Sequence, residues 1–364
     1  MQIGVCVASH IRDIETVIEA ERLGFSHAWM ADSQMLWSDC YATLALAAHQ
    51  TSRIQLGTGV AVSATRPAPV HAAAIATINA LAPGRTFFGI GTGNTAMRTM
   101  GQPPHRIREF DRYLESIQAL LRGEEAMMDP LTRGAKEAKP IRHIMPEDGF
   151  VNFADPIPLY VSGFGPRSLG LAGKYGDGAV LSLPANPDIL DFLWQMIEAG
   201  ATDAGRKLDR NEFYTTALTT ITVLEPGESA DSDRVKNECG AMAMATVHYA
   251  YEQFCNFGHP PPALLAEMWP AYTKLLEEFP AERRHQRIHA GHNCWVLPEE
   301  ECFLTEELLR ATCMIGTRDE LLQRLRDLEA AGLNQVMVLP GFDARRNVLA
   351  TIASELLPEL STGA

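Results

Sequence analysis

The stretch Asp32-Ser33-Gln34-Met35-Leu36-Trp37-Ser38-Asp39 puts an acid, a hydroxyl and an indole into one short segment. Such a set can flank a flat ring system. The same residues also read as a helix N-cap at Asp39 and a packed Trp37. Gly57-Thr58-Gly59-Val60 ends an apolar run, and glycines there let backbone approach a ligand or mark a bulge. Gly89-Ile90-Gly91-Thr92-Gly93-Asn94 lacks the spacing of a dinucleotide fingerprint, and no helix is expected to open there. Its small residues and Asn94 suit one wall of a pocket instead. Ser162-Gly163-Phe164-Gly165-Pro166-Arg167-Ser168 leads into a helix, with Pro166 at the first position. Backbone N–H groups, the helix dipole and Arg167 together make an anion cradle there. A plain capped loop is the other reading.

Two further sets carry less. His289 and His292, with Glu299, Glu300 and Glu301 nearby, do not form HExxH, and Cys294 and Cys302 are not at zinc spacing. No metal is expected, and the histidines read as surface or pocket-lining. No GxSxG occurs, which argues against an α/β-hydrolase.

These stretches need elements to position them, and the chain alternates strand and helix. Strands are predicted at Ile3–Ala8, Ala28–Met30, Ile54–Val62, Arg85–Gly91, Pro158–Val161, Ala179–Leu183, Phe213–Val223 and Gln335–Leu339. Helices are predicted at Asp13–Leu23, Tyr41–Thr51, Pro69–Leu81, Arg106–Leu121, Pro166–Lys174, Pro187–Gly205, Thr317–Ala331 and Arg345–Leu356. Eight such units predict a parallel sheet closed into a (β/α)8 TIM barrel, with an open doubly wound sheet as the alternative. Two excursions interrupt the rhythm, at 124–157 after strand 4 and at 225–315, largely helical, after strand 7. All 364 residues are expected to form one barrel domain. In such a barrel the site lies at the C-terminal strand ends, where all four glycine- or acid-bearing stretches fall.

Composition excludes some partners. Lys and Arg total 31 against 45 Asp and Glu, a net charge of −14. No general cation excess exists for nucleic acid or an anionic membrane. No apolar run reaches a membrane span, and the chain opens directly on a strand. The seven cysteines include no CxxC. Reduced thiols and a cytoplasmic location are therefore expected.

The segment IQLGTGVAVSATRPAPVHAAAIATINALAPGRTFFGIGTGNTAMRTMG, with ADSQMLW before it, resembles the bacterial luciferase-like superfamily. IPLYVSGFGPRSLGLAGKYGDGAVLS and the closing GTRDELLQRLRDLEAAGLNQVMVLP extend the resemblance over almost the whole chain. It is nearest to methylenetetrahydromethanopterin reductases and deazaflavin-dependent glucose-6-phosphate dehydrogenases. The resemblance implies a homodimeric barrel that holds FMN or the deazaflavin coenzyme F-420 (F420), with a lean to F420. It places Asp32 near the ring, Gly59-Val60 behind it as a non-proline cis peptide, and Thr92-Gly93 against it. It gives Ser162, Gly163 and Gly165 to the phosphate, where Arg167 adds charge, and makes Trp37 an active-site residue.

Two departures matter. Ser33 stands where the sugar-phosphate dehydrogenases have a His, and Asn94 where they have a Glu, so glucose-6-phosphate oxidation is not expected. Trp37, Ser33 and Asn94 are then the catalytic candidates, with Asp39, His292 and Glu109 behind them. Hydride transfer needs chiefly alignment and exclusion of water. The implied activity is hydride transfer with F420, or two-component monooxygenation with reduced FMN from a separate flavin or F420 reductase. The substrate is expected to be an apolar small molecule under the second excursion, whose Tyr249, Tyr251, Phe254, Phe257, Trp269 and Trp295 suggest an aromatic pocket. The alternative is a non-catalytic flavin-binding barrel protein.

Overall fold

The computed structural model describes residues 1–131, 137–181 and 186–361. The end of the strand expected over Ala179–Leu183 lies outside them. Eight parallel strands run β1 Gln2–Val7, β2 His27–Met30, β3 Gln55–Thr58, β4 Thr86–Gly91, β5 Leu159–Gly163, β6 Gly178–Leu181, β7 Tyr214–Thr219 and β8 Gln335–Val338. Each pairs with the next, and β1 pairs with β8, so the sheet closes into a (β/α)8 TIM barrel. The helices outside it are α1 Glu15–Leu23, α2 Cys40–Gln50, α3 Ala68–Leu81, α4 Ile107–Leu121, α5 Pro166–Tyr175, α6 Pro187–Asp203, α7 Arg318–Ala330 and α8 Arg345–Glu355.

Sequence pattern explains the layers. Strands covered on both faces are mostly apolar and carry no charged residue, and β2 and β4 are buried at every position. In α4, Phe110, Tyr113, Leu114, Ile117 and Leu121 recur every three or four residues and form its buried stripe. The start of α7 is fixed by Glu320, whose carboxylate accepts the Thr317 N–H at 2.8 Å. The barrel interior is a packed core rather than a pore. Trp29 and Phe87 meet with ring centroids 4.3 Å apart, and Trp29 Nε1 donates to Gln335 Oε1 at 2.9 Å. A Cβ on Gly57 would lie 2.3 Å from the Phe87 ring, so glycine alone leaves room for it.

The first excursion follows α4 and contains an antiparallel pair, Ala126–Met128 with Lys139–Ile141. Ser116 Oγ ties it to α4 by donating to the Met127 carbonyl at 3.0 Å. The second excursion leaves from the end of β7, on the C-terminal face. The strand expected over Phe213–Val223 is in two parts, because Ile221–Val223 departs from the barrel and pairs in parallel with Met314–Gly316. Between these stalks lie helices at Asp233–Phe257, Trp269–Glu277 and Glu306–Thr312. They share a core of their own, including Val235, Met244, Tyr251, Trp269, Tyr272 and Leu308. Among the described residues no helix is long and apolar enough to cross a membrane.

Candidate active site

Because β2, β3, β4 and β5 are neighbours, their C-terminal ends bring the four stretches onto one face of the barrel. The strand expected over Ile54–Val62 breaks at Gly59-Val60, a cis peptide bond between non-proline residues, as the resemblance implied. Beyond it, Ala61 and Val62 pair with Ile90 and Gly91 of β4. The Val60 methyls lie 3.1 Å from where Cβ atoms on Gly89 and Gly91 would stand, and Val62 fills the place of one on Gly93. The result is a floor of glycine backbone topped by valine.

The turn after β4 differs from expectation. Gly93, at φ 82°, precedes a short helix over Asn94–Thr99, which only a left-handed residue allows at so tight a turn. Asn94 does not stand free as a pocket wall. Its Oδ1 accepts from Arg98 Nε at 3.0 Å, so it orients Arg98, which the sequence reading did not single out.

Asp32 is buried and fully engaged. It accepts from Arg66 Nη1 at 2.8 Å, Gln34 Nε2 at 2.6 Å and the Val62 N–H at 3.3 Å. Burial pushes its carboxyl up, and Arg66 opposes that rise. Arg66 Nη2 also holds Asp39 at 2.7 Å, while Asp39 Oδ1 caps α2 through the Ala42 N–H at 2.9 Å. Asp32, Arg66 and Asp39 thus clamp the β2 loop to the β3 end. Ser33 is buried, and its carbonyl accepts the Leu36 and Trp37 N–H groups at 3.0 Å. Arg66 was legible only as a cation between strand end and helix start, in Thr65-Arg66-Pro67.

Trp37 faces residues from the second excursion. It shares a cavity wall with Cys294 and lies 6.2 Å, centroid to centroid, from the His292 ring. Both side chains border a cavity of about 230 Å³ that Ser9, His10 and Phe342 also line. His292 Nε2 accepts from Asn293 Nδ2 at 3.0 Å and lies 3.4 Å from Thr95 Oγ1. Burial and the nearby His289 and His248 push its pKa well below the usual range, so the ring is neutral near pH 7. His289 sits 5.2 Å from it, centroid to centroid, and pairs through Nε2 with Glu252 Oε1 at 2.8 Å. Among the described residues no three His, Cys, Asp or Glu are grouped to hold a metal ion. Glu109 is engaged elsewhere, accepting the Arg106 N–H at the start of α4.

The segment before α5 is partly self-satisfied. Ser168 Oγ accepts the Phe164 and Gly165 N–H groups at 3.1 and 3.2 Å. A Cβ on Gly163 would stand 2.9 Å from the Leu169 nitrogen, so that glycine serves helix packing. A Cβ on Gly165 would meet nothing within 4 Å, which leaves open ground ahead of the helix, with Arg167 exposed beside it. Ser162 lies on the β4 side, with its Cβ 3.4 Å from the place of one on Gly91. Phe164 stacks on Tyr249 of the second excursion at 5.4 Å and 11°. Of the other aromatics of that excursion, Tyr251, Phe254 and Trp269 group with one another rather than with Phe164 and Tyr249. Tyr251 and Trp269 are buried in its own core, Phe254 and Phe257 are exposed, and Trp295 bonds Asp343.

Proteins of assigned activity resemble this chain in sequence or in fold. The chain is 27% identical over 347 residues to 5,10-methylenetetrahydromethanopterin reductase of Archaeoglobus fulgidus, across 94% of this chain and 93% of that protein. It is 34% identical over 204 residues to the F420-dependent hydroxymycolic acid dehydrogenase of Mycobacterium tuberculosis, about half of each chain (51% and 52%). The solved structure of the coenzyme F420-dependent tetrahydromethanopterin reductase of Methanopyrus kandleri superposes with a TM-score of 0.68 at 20% identity, covering 98% of this chain and 99% of that one. The family model for luciferase-like monooxygenases matches residues 8–335. This chain belongs to the luciferase-like monooxygenase family.

Proposed function

We propose that the chain is a flavin- or deazaflavin-dependent oxidoreductase that uses F420 to move a hydride to or from a small molecule. One observation carries this reading. The glycine-and-valine floor at Val60, Gly89 and Gly91 adjoins, on the next strand, the open ground ahead of α5 at Gly165. A planar ring fits over the first and an anionic group over the second. Relatives named as F420-dependent support the choice of cofactor. FMN is the other cofactor of this family fold, bound in one structural neighbour at 16% identity.

When bound, the cofactor supplies a two-electron hydride donor or acceptor. The chain's own residues do the rest. Val60 backs the ring, and Arg167 with the start of α5 draws the anion. The Asp32–Arg66–Asp39 clamp fixes the β2 loop, so that Trp37 closes one side of the mouth. The neutral His292 imidazole offers a hydrogen bond to a substrate carbonyl or hydroxyl beside Trp37. Tyr249 on Phe164 carries the second excursion over the mouth and excludes water. A cytoplasmic homodimer with a separate reductase to recycle cofactor completes the reading, and light scattering in solution tests the dimer.

The test is a fluorescence titration with F420 and FMN, each oxidised and reduced, followed by anaerobic turnover with alcohols, enones and imines. F420 should bind in the micromolar range or tighter. Preference for reduced FMN would move the protein to two-component monooxygenation, and binding of neither would overturn the assignment of the floor.

A further inference from the structure

A second cavity, of about 520 Å³, lies between the Asn94–Thr99 helix and the second excursion. Its floor is Arg98, 8% exposed, and its walls include Tyr251 at 9% and Ile288 at 2%. Arg98 Nε is held by Asn94 and lies 3.5 Å from Glu252 Oε2. Its two terminal amino groups make no hydrogen bond among the described residues. Glu252 has only that oxygen for Arg98, because its other one pairs with His289. Arg284 borders the same space, its guanidinium held by the Phe279 and Glu277 carbonyls at 3.0 and 3.1 Å. His285 stands beside it.

We propose that this cavity binds a small organic carboxylate with an apolar body, a site that goes beyond the redox reading above. Charge sets the ligand class. Two guanidiniums face one carboxylate, which leaves one net positive charge in a protein of net charge −14. Arg98 is the buried one and has Glu252 beside it, so the excess charge falls on the half-buried Arg284, and an anion in the cavity would pair with both guanidiniums. Arg98 presents a planar fork with its Nε already fixed, which suits the two oxygens of a carboxylate. Tyr251, Ile288, Pro103 and Ala281 offer part of the wall to hydrocarbon, beside the polar Gln102 and Asn256. The volume accommodates a ligand of drug-like size or smaller.

Cys255 lines the cavity, and its thiol is exposed, so it reports on the site without any cofactor. The folded protein is alkylated with equimolar iodoacetate and iodoacetamide, and the products at Cys255 are counted by mass spectrometry. The urea-unfolded chain gives the reference ratio. Charge-assisted capture of the carboxylate reagent should raise the carboxymethyl share at Cys255 about tenfold on folding. Octanoate should protect Cys255, octanamide should not, and Arg284→Gln should lower the ratio several-fold toward the reference. An unchanged ratio on folding, or equal protection by octanoate and octanamide, overturns the proposal. The octanoate and octanamide arms use the unmodified protein, so they decide the matter even where the variant fails to fold. No redox turnover is read, so a failure of the cofactor assignment would leave the result intact.

Discussion

Gly163 and Gly165 look alike in sequence and do different work. Gly163 is pressed against the α5 backbone, whereas a side chain on Gly165 would project into open space. Gly163→Ala should therefore lower the melting temperature, since the Cβ overlaps the Leu169 nitrogen and overpacking costs about 1–3 kcal/mol. Gly165→Ala should leave stability within about 0.5 kcal/mol and weaken cofactor binding about tenfold, because the methyl occupies the approach to the helix start. Paired thermal melts and fluorescence titrations separate the two. An unweakened Gly165→Ala would place the anion elsewhere. The glycine positions were legible in the sequence, but their division of labour was not, since it depends on which neighbour faces each one. The same holds for Asn94, legible as a polar group at a strand end, whose attachment to Arg98 follows from a helix the local glycines hid.

Strand and helix alternation was readable because each element is short, apolar and bounded by glycine, proline or a cap. The break at Gly59-Val60 was signalled by its glycines and by the resemblance, whereas the departure at Thr220 was not readable, because Phe213–Val223 keeps one apolar and threonine pattern across it. What holds the β2 and β3 ends in register with the site is the buried Asp32–Arg66 pair, with side-chain exposures of 2% and 19%. Arg66→Met should destabilise the fold by about 3 kcal/mol, because it strands a buried carboxylate. Adding Asp32→Asn should recover much of that loss. Chemical denaturation of both variants checks this, and equal stability of the single and double variants would remove the clamp from the account. Two signs could have flagged the clamp in advance: an arginine just after a strand end, and acids on both sides of the preceding loop.

At the scale of the molecule, stability should depend on buried neutral histidines. Burial pulls His27 down to about 4 and His71 to about 3. Unfolded, both would take a proton near pH 6.5. Between pH 6.5 and those lower values the unfolded chain binds more protons, so stability falls as the solution is acidified. From pH 7 to pH 5 the two together should remove about 4 kcal/mol. Asp32, raised by burial, opposes this as a single group. Urea midpoints at the two pH values measure the slope, and a flat profile would mean that both rings are already charged in the fold.

The two stalks of the second excursion, Ile221–Val223 and Met314–Gly316, run side by side as paired strands. The chain therefore leaves the barrel and returns to it within adjacent hydrogen-bonded positions, and the roughly ninety residues between carry a separate core. Closing so short a gap with a different loop adds little chain entropy whatever its length. That makes the excursion an exchangeable cassette. A lineage can swap the excursion, and an engineer can graft one, while the barrel keeps its register and the glycine-and-valine floor is left as it was.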